Sequence, residues 1–171
     1  CTRRATPPTS TETREGFDKT EPSLAAVAGR CGIDALALPI KSVGVKADLR
    51  SYEHPALLSG HAAFERLLEI AAAIFGEVPG INRCLWNLGA TAPRRVTPLA
   101  ATVTRERLDL LREADALVMR GLERHGIYES IWQCPTVLVP MSVDGNGREF
   151  VIVRPISSCG GGTCSRRPRC R

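Results

Sequence analysis

The sequence predicts an α+β fold, and three observations carry that prediction. Two stretches, near residues 64–75 and 104–125, repeat apolar residues at three- and four-residue steps, the period of an amphipathic helix. Around them lie short runs of Val, Ile and Leu bounded by Pro, Gly and polar turns, which is how strands read. One pattern also occurs twice: LALPIKSVGVKADLRSY (Leu36 to Tyr52) and VLVPMSVDGNGREF (Val137 to Phe150). In both, an apolar run reaches a Pro, passes Ser-Val, turns, and re-enters a strand just after an Arg. The predicted order is α-β-β-α-β-β followed by an incomplete second unit, α-β-β.

Residues 1–22 are rich in Thr, Arg, Glu and Pro and hold one aromatic, Phe17. They bury too little to offset their ordering entropy, so a disordered leader is expected there. Ser23 to Arg30 reads as a short helix with Leu24 and Val27 on one side and Gly32 as its stop. Ala35 to Val45 reads as a strand, edge-like or bulged because of Pro39, with Tyr52 to Leu58 as its antiparallel partner. Phe64, Leu67, Leu68, Ala71, Ile74 and Phe75 give the next helix its apolar stripe, closed by Gly76 and Pro79-Gly80. Ile81 to Leu88 and the weaker Val96 to Thr102 follow as strands.

Thr104 caps the second strong helix, whose expected buried stripe is Leu108, Leu111, Ala114, Val118 and Leu122, with Gly126 as its stop. Thr136 to Val143 and Glu149 to Ile156 form a predicted hairpin about Asp144-Gly145-Asn146-Gly147. The expected domains are therefore the leader 1–22, a first unit 23–103, a second unit 104–158 and a basic, disordered tail 159–171. A second helix-and-hairpin unit alone leaves a sheet face uncovered, so it must pack on the first unit, pair with another chain, or stay loose.

Of the net charge of +5, the tail contributes +4 through Arg166, Arg167, Arg169 and Arg171, leaving +1 for the body. A basic arm on a small α/β body admits an RNA-binding module, but the strands offer few aromatics for stacking, which weighs against nucleic acid. No run approaches the ~20 apolar residues of a membrane helix, and no apolar signal segment opens the chain, so a cytoplasmic protein is expected. Among the seven cysteines, Cys31, Cys84 and Cys134 sit singly in apolar segments and read as buried reduced thiols.

Motif chemistry is sparse. Gly160-Gly161-Gly162 lacks the Lys-Ser/Thr and helix of a phosphate loop. Cys159, Cys164 and Cys170 offer three ligands where zinc takes four, so no metal is expected. His54, His61 and His125 read as surface or capping residues, and Asp48 with Glu53 as a carboxylate pair of ordinary turn type. Arg50 and Arg154 stand apart because each lies at or within a strand, where a guanidinium can grip a phosphate or carboxylate with two parallel hydrogen bonds. Gln133, after Trp132, offers an amide to a nucleobase or ribose.

SVGVKADLRSYEHP (Ser42–Pro55), EVPGINRCLW (Glu77–Trp86) and YESIWQCPTVLVPMSV (Tyr128–Val143) closely resemble the C-terminal region of glutamine-hydrolysing GMP synthase, and the resemblance spans about Leu38 to Ser158. It implies a two-layer α/β sandwich and a duplicated dimerisation domain that helps enclose xanthosine monophosphate (XMP). In that family a glutaminase domain releases ammonia, an ATP-pyrophosphatase domain adenylates the XMP 2-oxygen with ATP and Mg, and ammonia displaces AMP to give GMP. The resemblance places Arg50, Gln133 and Arg154 at XMP-contact positions. No SGGVDS-type loop, glutaminase Cys-His-Glu set or terminal KPPxTxEWE occurs in this sequence. The resemblance and these missing motifs together imply a homodimeric module, changed in character from Cys159 by a frameshift or a truncated gene model, that binds no cofactor and is not catalytic alone. The alternative expectation is a remnant without activity.

Overall fold

The computed structural model describes residues 11–46 and 49–157, and the side chains of residues 20–157 except 45–49 and 157. In chain order the elements are α1 (Thr11–Arg30), β1 (Asp34–Ala37), β2 (Ser42–Lys46), β3 (Leu49–Ser59), α2 (Phe64–Glu77), β4 (Ile81–Trp86) and β5 (Val96–Pro98). There follow α3 (Arg105–Arg124), a 3₁₀ turn at Tyr128–Ser130, β6 (Ile131–Gln133), β7 (Thr136–Val139), β8 (Met141–Val143), β9 (Phe150–Val153) and β10 (Ile156–Ser157). The fold is α+β, as the periodicities predict. The chain divides into two compact units, Cys1–Leu99 with Met141–Arg148, and Ala100–Pro140 with Glu149–Arg171.

The first unit is built on β3. Its first half pairs antiparallel with β2 (Val43↔Tyr52) and its second half antiparallel with β1 (Leu36↔Leu57). The predicted single strand Ala35–Val45 is therefore two strands. Pro39 carries no N–H and ends the β1 ladder, and Leu38 makes the last bond, donating to the Pro55 carbonyl at 2.9 Å. On its other side β3 pairs parallel with β4 (Leu57↔Leu85), with α2 as the crossover a parallel pair requires.

Helix α1 corrects the sequence reading. Residues 11–22 are helical, and residues 1–10 of the expected disordered leader lie outside the described residues. Local composition missed what packing supplies: Leu24, Val27 and Ala28 are buried, and the Thr20 hydroxyl donates to the Pro79 carbonyl at 3.2 Å. Pro22 sits inside this helix and costs one backbone N–H.

The core joins Leu24, Val27 and Ala28 to Ala56 and Leu58 of β3, Ile70 and Ile74 of α2, and Ile81 of β4. The stripe expected on α2 is displaced. Ile70 and Ile74 point inward, whereas Phe64, Leu68 and Phe75 are exposed, Phe64 to 69%. At 100° per residue these three form a ridge about a third of a turn from the buried one.

In the second unit β7 pairs antiparallel with β9, and β6 with β10. The predicted strand Thr136–Val143 breaks at Pro140: β7 stays with β9, while β8 pairs antiparallel with β5 (Val96↔Val143) and belongs to the first unit. Helix α3 begins as predicted, with Thr104 Oγ1 accepting from the Arg107 N–H at 3.3 Å. Its expected buried stripe is only half covered. Leu111, Ala114, Val118 and Leu122 are half-buried, Leu108 is exposed, and no α3 residue is fully buried.

Candidate functional site

Arg50 lies on β3 in the first unit, opposite Val45 of β2, with its side chain exposed. The turn before it, including Asp48 of the expected carboxylate pair, lies outside the described residues. Glu53, the other member, accepts from the Ser51 hydroxyl at 3.3 Å. Beneath this hairpin the β2–β4 gap is closed by polar side chains. Asn82 Nδ2 donates to the Ser42 carbonyl at 2.8 Å, the Ser42 hydroxyl donates to Asn82 Oδ1, and Arg83 Nη2 donates to the Val43 carbonyl at 3.1 Å. Gly44 lets them approach closely: a Cβ there would lie 2.7 Å from Ser51 Oγ and 3.0 Å from Asn82 Nδ2, so those side chains would have to shift. Arg50 thus stands on a braced hairpin, and a guanidinium on a rigid base loses less entropy when it binds.

Gln133 and Arg154 belong to the second unit and fall on one ribbon. The register that sets Thr136 opposite Val153 continues without a slip to Gln133 opposite Ile156. Between the two ladders, the Arg154 N–H donates to the Pro135 carbonyl at 3.1 Å. Arg154 is therefore diagonal to Gln133, within the reach of long side chains. Both are exposed, and among the described residues neither arginine, Arg50 or Arg154, is in an ion pair. Pro135 and Pro155 break the ribbon at this point. The strand pairing that brings Gln133 beside Arg154 was not legible in the sequence, where β6 and β10 are too short to register.

Another arginine, Arg107, escaped the sequence reading. Arg107 forms a two-pronged ion pair with Glu149, Nε to Oε2 at 2.9 Å and Nη2 to Oε1 at 2.8 Å, tying the start of α3 to the start of β9. The pair is sheltered, with side-chain exposures of 24% and 13%. Its signal was present: Arg107, Leu111, Ala114 and Val118 follow helical steps, so Arg107 lies on the covered side of α3. This geometry holds the ribbon rather than a ligand.

His54 also departs from its expected surface role. It is buried at 6% exposure, its Nδ1 lying 3.0 Å from the Leu38 carbonyl. His125 caps the end of α3, and His61 is exposed. Cys31, Cys84 and Cys134 are free thiols, partly rather than fully buried. Burial pushes the Cys84 thiol up to about 12, and burial first, then the nearby Asp115 carboxylate, raises Cys134. Among the described residues no cluster of three or more His, Cys, Asp or Glu side chains could hold a metal. Cys159, Cys164, Cys170 and the triglycine lie outside the described residues. No described helix is long and apolar enough to cross a membrane.

No protein-family model matches the chain. Curated proteins do. The GMP synthase [glutamine-hydrolyzing] of Leifsonia xyli is 34% identical over 126 residues, covering 66% of this chain and 25% of that protein. The probable GMP synthase of Leptospira interrogans is 30% identical over 157 residues, covering 85% of this chain and 24% of that protein. That of Streptomyces avermitilis is 45% identical over 67 residues, 35% of this chain and 13% of that protein. The chain spans about a quarter of the length of the first two of these relatives. By these likenesses, which together reach most of its length, the chain belongs to the glutamine-hydrolysing GMP synthase family.

Proposed function

We propose that this chain is the C-terminal dimerisation and XMP-site module of a GMP synthase. The observation that supports it most is the proportion of the match, 85% of this chain against 24% of a relative, which is what one module of a larger enzyme gives. In this reading Arg50 grips an XMP oxygen group, Gln133 presents its amide to the base or ribose, and Arg154 beside it adds a second cation. Binding is weak in this chain alone. The chemistry belongs to ATP-pyrophosphatase and glutaminase domains, which bring ATP with Mg and ammonia to the bound XMP in the cytoplasm. Positioning of those reactants accounts for ~7–11 kcal/mol of such a barrier, so the chain alone forms no GMP.

The homodimer is supported by apolar ridges that, among the described residues, stand exposed on α2 and α3. Phe64, Leu68 and Phe75 line one on α2, and Leu110 and Leu117 a second on α3. Exposed apolar rows of this kind mark protein interfaces.

The direct test is titration of XMP into the chain, labelled with ¹⁵N, followed by NMR. Saturable shifts at the Gln133 side-chain amide and the Arg50 amide, lost in Arg50→Gln, are expected. Flat spectra to 10-millimolar XMP, roughly the limit for a −3 kcal/mol interaction, would discard the XMP role. GMP formation with ammonia by the chain alone would discard the division of labour. A second reading, a chain without activity, is favoured by the half-covered α3; it predicts non-cooperative melting as well as flat spectra.

A further inference from the structure

A cleft of about 650 Å3 opens in the first unit beside the β5–β8 pair, lined by Arg94, Arg95, Thr97, Asp144 and Gly145. That volume is within the range of small-molecule sites. Its walls are fixed by hydrogen bonds that can be named. The β5–β8 register runs on to place Asp144 opposite Arg95, and the Asp144 N–H donates to the Arg95 carbonyl at 2.9 Å. Asp144 Oδ1 in turn accepts from the Arg94 and Arg95 N–H groups at 3.0 and 2.8 Å. The turn beyond is braced from inside by buried Ser142, whose Oγ accepts from the Gly147 N–H at 2.8 Å and lies 3.1 Å from Asn146 Oδ1. Asp144 and Gly145 hold φ of 50° and 72°, which this Asp-Gly pair tolerates.

The consequence is electrostatic. The one carboxylate in the lining spends an oxygen on two backbone amides, while both guanidiniums are exposed and, among the described residues, in no ion pair. Two adjacent arginines and a hydroxyl on a rigid wall are chemistry for a multiply charged oxyanion. We propose that this cleft binds a phosphate-bearing small molecule, held by the Arg94 and Arg95 guanidiniums with the Thr97 hydroxyl as a further donor. Arg50 does not line this cleft, and the site stands whether or not the XMP reading does.

The test is an NMR titration of the full 171-residue chain with sodium pyrophosphate, with uridine monophosphate, and with sodium chloride at matched ionic strength. Saturable shifts confined to the amides of residues 94–97 and 144–147 are expected with pyrophosphate. If uridine monophosphate gives the same shifts, the natural ligand carries its phosphate on a nucleoside; if pyrophosphate alone does, it is the free anion. Arg94→Gln with Arg95→Gln weakens binding at least tenfold without changing the melting temperature, because the Asp144 bonds go to backbone. Arg94→Lys with Arg95→Lys, which keeps the charge but loses the fork, falls between. Arg50→Gln leaves pyrophosphate binding unchanged, which separates this site from the XMP proposal. Equal shifts with chloride, unaltered binding by the Gln pair, or shifts that saturate elsewhere would overturn the site.

Discussion

The two units use similar parts and reach different degrees of closure. In the first, α1 and α2 lie against β1, β3 and β4, and a continuous set of side chains is buried, with Leu24, Ala56 and Ile74 at 0% exposure. In the second, α3 alone lies against β7, and among its described residues only Val139 is buried. One amphipathic helix on a two-stranded ribbon covers one side of it, and two-stranded ribbons are marginal in water by themselves. What distinguishes the units is the second helix. A sheet of four strands with two helices has an inside; a ribbon with one helix has a shaded side.

Core truncation should show that contrast most strongly. Ile74→Ala removes a fully buried side chain and is expected to cost about 2–5 kcal/mol by urea unfolding. Leu111→Ala, at the matching place on half-covered α3, should cost about 1 kcal/mol. Equal costs would mean that the second unit is as closed as the first. Next in size is Arg107→Met, which strands the sheltered Glu149 carboxylate and should cost about 1–3 kcal/mol. Arg107→Met with Glu149→Leu together should recover most of that loss, since no unpaired charge remains; no recovery would contradict a pairwise role.

The exposed ridges sharpen the comparison at the level of assembly. Leu117→Glu on α3 and Leu68→Glu on α2 are expected to weaken self-association at least tenfold by sedimentation while leaving the first unit's melting unchanged. The smallest effect is a pH dependence, read at Cys84 in the closed unit. Burial raises the Cys84 thiol from its ordinary 9.0 to about 12. Only the unfolded chain ionises it between those values, so its contribution is whole below pH 9 and is lost as pH rises toward 12. Urea midpoints at pH 8 and pH 10 should differ in wild type and less so in Cys84→Ala.

Helices α2 and α3 were legible because their periods are strong and their ends carry chemical marks. Thr104 caps α3 through its hydroxyl, and Gly126 ends it at φ 65°. The Asp144–Gly147 turn was legible for the same reason, with positive φ at Asp144, Gly145 and Gly147. Pairings remote in sequence were not. Nothing local in Met141–Val143 says that it leaves its hairpin partner for Val96–Pro98, more than forty residues earlier. Helix α1 was half missed because its stability comes from Leu24, Val27 and Ala28 packing on a distant sheet, a tertiary term that local composition does not contain. Arg50, Gln133 and Arg154 were singled out by residue type and resemblance, and pairing added one relation, the adjacency of Gln133 and Arg154.

Hydrogen exchange on the whole chain, at dilute and at concentrated protein, reaches the central claim most directly. If the second unit is finished by another copy, amides of β6, β7 and β9 exchange faster than those of β1, β3 and β4 when dilute, and gain protection as concentration and dimer fraction rise together. Protection of both units that is equal at every concentration, in a chain that stays monomeric, would contradict it.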